Sequence, residues 1–220
     1  MKVDVDHKKS LQFMINSILL ASSIILMFYG VHITLELLDT RKFLYVAGFL
    51  KVNAIMSIFI GMIIALSTIF GFKATCFETC KANYIVFGFS QFTAVTATIH
   101  LIFVIANKVY FGEDVTIVRS LYIYDLSDDI WNRMQKKYEC CGIDGYQDYE
   151  KIPFGRIPDS CSKNGQLTFQ KGCQEAFIGV IESYFYILAS FTALSIVLSI
   201  LNSIISLKIA RKNQKKNVCC

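Results

Sequence analysis

The residues of this 220-residue chain with most chemistry to offer are its 8 cysteines. Cys140 and Cys141 stand side by side in the polar, turn-rich stretch KKYECCGIDGYQDYE. A disulfide between neighbours strains the peptide that joins them, so an oxidised pair seeks partners elsewhere. Cys161 and Cys173 lie downstream. Four cysteines allow three pairings, and setting the vicinal bond aside leaves two. A zinc site is the rival, but the spacing holds no C-x-x-C pair and no histidine lies between residues 107 and 183. Cys76, Cys80, Cys219 and Cys220 instead border apolar segments, a setting that suits S-acylation. Catalysis finds little footing. Asp128 and Asp129 are adjacent and fit the start of a helix better than paired acid–base work. Neither a nucleophile–histidine arrangement nor a glycine-rich phosphate loop is present.

The elements that position these residues are apolar. The chain is 54% hydrophobic with 2 prolines, and its apolar residues concentrate in runs at 11–34, 49–72, 84–106 and 184–207. Each is long enough to cross a hydrocarbon core of about 30 Å. Lys51 is the one charge within them, close enough to an end to snorkel. The fold class expected is an all-α membrane protein with four transmembrane helices. The first run is too long for a signal-peptide core and lacks a small-residue cleavage site, so it reads as an uncleaved anchor. Residues 1–10, 73–83 and 208–220 carry 10 Lys/Arg against Asp4, Asp6 and Glu78. The positive-inside rule therefore places both tails in the cytosol. Residues 35–48 form a small outer loop and 107–183 a large one, the latter slightly acidic with 9 basic and 12 acidic residues. The net charge of +5 thus sits on the cytosolic face, favouring anionic lipid over nucleic acid as a neighbour.

This topology puts Cys140, Cys141, Cys161 and Cys173 in an oxidising compartment, within a loop too small to rely on a large core. Ser127 with Asp128 and Asp129 opens a helix there, with Trp131 and the four-step Ile130, Met134 and Tyr138 along it. Gly142 is expected to end that helix with φ > 0. A further helical stretch is expected from Lys108 to about Tyr124. Tyr146, Tyr149, Phe154 and Phe169 either meet partners or fill the loop's own core.

Four spans, a short and then a large outer loop, "CCG" at Cys140–Gly142, "PDSC" at Pro158–Cys161 and "GC" at Gly172–Cys173 together resemble the tetraspanin family over essentially the whole chain. The resemblance implies a mostly helical, stapled large loop with pairing Cys140–Cys173 and Cys141–Cys161. Asn16 matches the family's first-span Asn, and Ser23 and Gly30 follow it at steps of seven. Ala47, Ala54, Gly61 and Thr68 keep the same step in the second span. Small residues at that spacing let helices approach closely. Gln91 and Asn202 fall where the third and fourth spans of the family carry polar residues. The family's "GCCG" turn is replaced by FGFKATCFETC, which retains Gly71, Glu78 and Cys80.

Asn16, Gln91 and Asn202 come to a similar depth in antiparallel spans and should face inward. They form either a register device or the polar end of a site for cholesterol or another lipid; His100 and Asn53 offer something similar nearer the outer leaflet. No other cofactor and no metal is expected. The resemblance implies a non-enzymatic scaffold of the plasma membrane, or alternatively of endosomes. Its partners would be integral membrane proteins (adhesion receptors or immunoglobulin-like proteins), other tetraspanins and lipids. A four-helix membrane thiol oxidoreductase is the alternative; it requires an exchangeable dithiol. A transporter would require charged or broken spans, and these are neither.

Overall fold

The computed structural model describes residues 3–39, 44–77, 80–113, 128–151, 156–163, 166–167 and 169–215. Its long helices are α1 (Val3–Asp39), α2 (Leu44–Phe77), α3 (Cys80–Glu113) and α6 (Cys173–Lys215). Between α3 and α6 come α4 (Asp128–Tyr138), the single turn α5 (Gln147–Glu150), a 3-10 turn at Asp159–Cys161, and strands β1 (Ser162–Lys163) and β2 (Gln166–Leu167). The chain divides into two compact units, one of residues 1–36, 49–106 and 187–220, the other of residues 37–48 and 107–186.

The first unit is built from the four long helices, each long and apolar enough to cross a membrane. In hydrocarbon every backbone N–H and C=O must be satisfied within the segment, and an unbroken helix does this. The helices overrun the apolar runs: α2 and α3 leave only residues 78–79 between them. The packing of this unit reverses that of a water-soluble bundle. Asn16, Ser23, Ser57, Thr68, Thr192 and Asn202 are fully buried, while Phe28, Ile99 and Ile102 are about three-fifths exposed. Small and polar residues draw the helices together; large apolar ones face lipid.

The seven-residue pattern on α1 and α2 becomes a close seam. A Cβ built on Gly30 would stand 2.7 Å from the carbonyl oxygen of Ala54, and one on Gly61 would stand 2.9 Å from that of Ser23. One on Gly71 would collide with the Asn16 amide. The pairs 30/54, 23/61 and 16/71 therefore run antiparallel along one contact line.

The second unit has its own core. Trp131 and Met134 from α4 pack with Cys140, Ile143, Cys173 and Ala176, with Tyr138 and Phe177 at the edge. Cys141, Cys161 and Phe169 form a second cluster bordered by Tyr146, Tyr149 and Ile157. Strands β1 and β2 pair antiparallel, Ser162 opposite Leu167 and Lys163 opposite Gln166. Phe154, Ser127 and the stretch 114–124 lie outside the described residues. One expectation needs correction. The α4 helix ends at Tyr138 and Glu139, not Gly142, takes the left-handed conformation, at φ 49°. Gly142, at φ 64°, instead turns the chain after both cysteines, where any Cβ would strike the Gly145 carbonyl oxygen.

Gly30→Leu should destabilise the bundle by about 1–3 kcal/mol, since a backbone carbonyl cannot yield to the new side chain. Gly88→Leu, whose Cβ meets nothing among the described residues within 4 Å, should be tolerated. Helical signal followed through a dodecyl sulfate titration of the full chain measures both. Equal losses would remove the close seam.

Candidate functional site

In the second unit the adjacent cysteines leave in different directions. Cys140 is bonded to Cys173 and Cys141 to Cys161, across sequence separations of 33 and 20. All four are at most 1% exposed. Backbone bonds brace the knot: Cys141 N–H donates to the Lys171 carbonyl at 2.9 Å, and Cys173 N–H to that of Gly142 at 3.0 Å. Gly172 allows this because its Cα packs directly on the Ile143 carbonyl and Asp144, leaving no space for a side chain.

Beside the knot lies a buried polar network. Gln135 is fully buried. Its amide is satisfied on both sides when its oxygen accepts from the Tyr149 hydroxyl at 2.7 Å and from Trp131 Nε1 at 2.9 Å, and its nitrogen donates to Ser160 Oγ. Ser160 in turn donates to Asn132 Oδ1 at 2.6 Å. The network ties α4 to the segment that carries Cys161. Asp148 performs a similar task for the turn that follows the cysteines. Its Oδ2 accepts the N–H groups of Ile143 at 2.9 Å and Asp144 at 2.8 Å, and Lys151 Nζ sits 3.4 Å from Oδ1. Burial by itself would raise the Asp148 carboxyl; the Asp144 and Ile143 amides and Lys151 together hold it below its ordinary 3.8.

In the first unit a polar seam crosses the bundle. Asn202 Nδ2 donates to Asn16 Oδ1 at 3.1 Å and to Ser90 Oγ at 3.2 Å, so one amide joins α1, α3 and α6. Gln12 Nε2 donates to Ser206 Oγ at 2.9 Å, and Ser22 and Ser195 share a bond of 3.0 Å. Gln91 does not face inward as expected. Its neighbour Ser90 points into the seam at 1% exposure, so Gln91, about 100° further round the helix, lies at the exposed rim and reaches Ser203 Oγ at 2.7 Å. Nearer the other end, His100 lies between Ser57 Oγ at 3.2 Å and Thr192 Oγ1 at 3.3 Å, with Asn53 buried beside it. Ser90, Ser195 and Ser206 were not singled out in the sequence. For Ser195 and Ser206 a signal was available: Thr192, Ser195, Ser199, Asn202 and Ser206 alternate steps of three and four, and all prove at most 1% exposed.

The boundary cysteines differ. Cys76 is a free, exposed thiol. Cys80 is 2% exposed and its sulfur lies 3.7 Å from the Ala210 carbonyl oxygen, so it is turned into the bundle and is not presented for acylation as Cys76 is. Cys219 and Cys220 lie outside the described residues. Among the described residues no cluster of three or more His, Cys, Asp or Glu is placed to hold a metal.

A family model described as the Tetraspanin family matches residues 8–212. Among individual relatives, the CD63 antigen of Bos taurus is 32% identical over 100 residues, and that of Oryctolagus cuniculus 33% over 101. The human CD63 antigen is 29% identical over 101 residues. Each alignment covers 40% of this chain and 42% of the relative, so the matched stretch spans about two-fifths of the curated proteins.

Asp148→Asn should lower the stability of the stapled unit by about 1–2 kcal/mol, read by thermal melting of the fluorescence of Trp131, the only tryptophan. Because the folded carboxyl is depressed, its contribution is present above the ordinary carboxylate value and is lost as pH falls towards the folded one. Wild type should therefore approach the variant below about pH 4; a constant gap would refute the charge's role. In the bundle, Asn202→Leu should cost about 1 kcal/mol in dodecyl sulfate unfolding. No change would show that the three-helix amide bond contributes nothing.

Proposed function

The chain belongs to the tetraspanin family, and from that footing we propose that it organises other integral membrane proteins laterally, through its spans and its stapled head. The observation that carries this reading is the burial of both head disulfides. Enclosed sulfurs leave no approach for an attacking thiolate, which supports a staple over thiol exchange. The staple fixes the described residues next to the four cysteines, among them residues 142–151 and 158–163, and a surface of that kind suits recognition. The spans add a second contact face, since Phe28, Ile99, Ile102 and Val197 all turn outward.

In this reading both termini and the 78–79 connection are cytosolic, residence is at the plasma membrane, and the partners are adhesion receptors, immunoglobulin-like proteins and other tetraspanins. Cys76 is the acylation site supported by exposure, with Cys219 and Cys220 as further candidates. The seam around Asn16 and Asn202 receives the hydroxyl of a sterol. Support comes from three buried polar atoms without a hydrogen-bond partner, Gln12 Oε1, Asn16 Nδ2 and Asn202 Oδ1. A hydroxyl both donates and accepts, which suits such a mixed set.

Proximity labelling in cells, comparing the native chain with one whose residues 142–172 are exchanged for those of another tetraspanin, tests the scaffold reading. The labelled receptors should change while neighbouring tetraspanins stay. An unaltered set would take recognition away from the head. Alkylation after mild reduction should leave Cys140, Cys141, Cys161 and Cys173 unlabelled; ready labelling would favour the thiol oxidoreductase.

A further inference from the structure

Gly88 sits about two turns into α3, and among the described residues nothing crowds it. A Cβ there would meet no atom among the described residues within 4 Å, and glycine weakens a helix interior. The space it leaves is a shallow, wide-open notch of about 340 Å³, lined by Tyr84, Ile85, Gly88, Phe89 and Phe92 on the outward face of the helix. Two of its walls are held in place from neighbouring helices. Phe89 stacks on Phe70 of α2, with centroids 4.7 Å apart and planes at 15°. The Tyr84 hydroxyl donates to Gln214 Oε1 of α6 at 3.1 Å. Two rings on the border of the notch are thus held by contacts to neighbouring helices.

The size of its occupant follows from the flanks. Close approach of a second helix needs small residues one turn above and below the glycine, and here those positions hold Tyr84 and Phe92. They keep a helix backbone away but admit something as narrow as an acyl chain. Seven residues towards the α3 start, about 10 Å along the axis and on the same face, Lys81 is exposed. Cys80 Sγ lies 3.7 Å from the Ala210 carbonyl, so the same helix end adjoins the stretch of α6 that carries Arg211, also exposed. An apolar slot with cationic side chains above it has the two-part chemistry of an anionic phospholipid.

We propose that the outward face of α3 holds one anionic phospholipid, its acyl chain in the Gly88 notch and its headgroup at Lys81. The proposal takes from the scaffold reading only that this end of α3 meets the cytosolic leaflet, where such lipids are concentrated. The site is separate from the interior seam around Asn16 and Asn202.

Native mass spectrometry of the detergent-solubilised full chain, titrated in parallel with phosphatidylserine and phosphatidylcholine, tests it. One phosphatidylserine should be retained over phosphatidylcholine by about five-fold, the scale of one well-placed cation. Gly88→Leu, which fills the notch from open space, should abolish retention of that lipid. Lys81→Gln should abolish the headgroup preference while an acyl chain is still held. Equal retention of the two lipids, or a preference that survives either variant, overturns the proposal. A dimer that Gly88→Leu dissolves would also overturn it, giving the face to a second copy. Retention in detergent does not depend on leaflet, so an epitope tag at residues 78–79 reached from outside would defeat the topology while leaving the lipid site standing.

Discussion

Inside a bilayer a leucine gains nothing by leaving lipid for another leucine, so the force that assembles water-soluble helices is missing. What remains is close packing and the need of every buried polar group for a partner. Both are met along narrow lines in this molecule. Gly30 against Ala54 and Gly61 against Ser23 bring α1 and α2 to backbone contact. Gly71 then opens the space in which the Asn16 amide turns towards α6. Remove the small residues and the amides no longer reach one another. The packing and the hydrogen bonds are thus one device.

The head solves a different problem, that of a short segment with too little apolar surface to fold by burial alone. Two bridges leaving one point reinforce its small core. Loop closure of this length stabilises by about 3–4 kcal/mol for each bridge, and the Gln135 network adds direction by fixing α4 to the Cys161 segment. Tyr149, a candidate contact aromatic, spends its hydroxyl on that network and its ring on the inner cluster. Phe169 is likewise buried. Both aromatics are thus taken up by the head's own core.

Much of the membrane unit was legible because its signals are long and one-dimensional. Runs of more than twenty apolar residues and a seven-residue step of small side chains need no three-dimensional knowledge. Asn16 and Asn202 could be placed at one depth by counting residues from the ends of their spans. Which of two neighbours faces inward could not: depth along a helix does not give rotation about it, and Ser90 took the place expected of Gln91. The serine seam of α6 was readable at alternating steps of three and four, but single serines in apolar helices draw little notice beside an asparagine. In the head, the end of α4 eluded the sequence because Gly142 is the obvious left-handed residue, whereas the chain needs such a turn at Glu139 before it reaches the cysteines. The inward turn of Cys80 had no local signal at all.

One amide, that of Asn202, is shared between a residue on the first long helix and another on the third. Residues 16, 90 and 202 leave the ribosome in that order, so two of the three groups are made well before the third exists. A chain interrupted after α3 carries Asn16 and Ser90 with their shared donor still unmade. The contact that joins the three helices can therefore close only after the last span has been made, so the register of the earlier spans is completed by the final one.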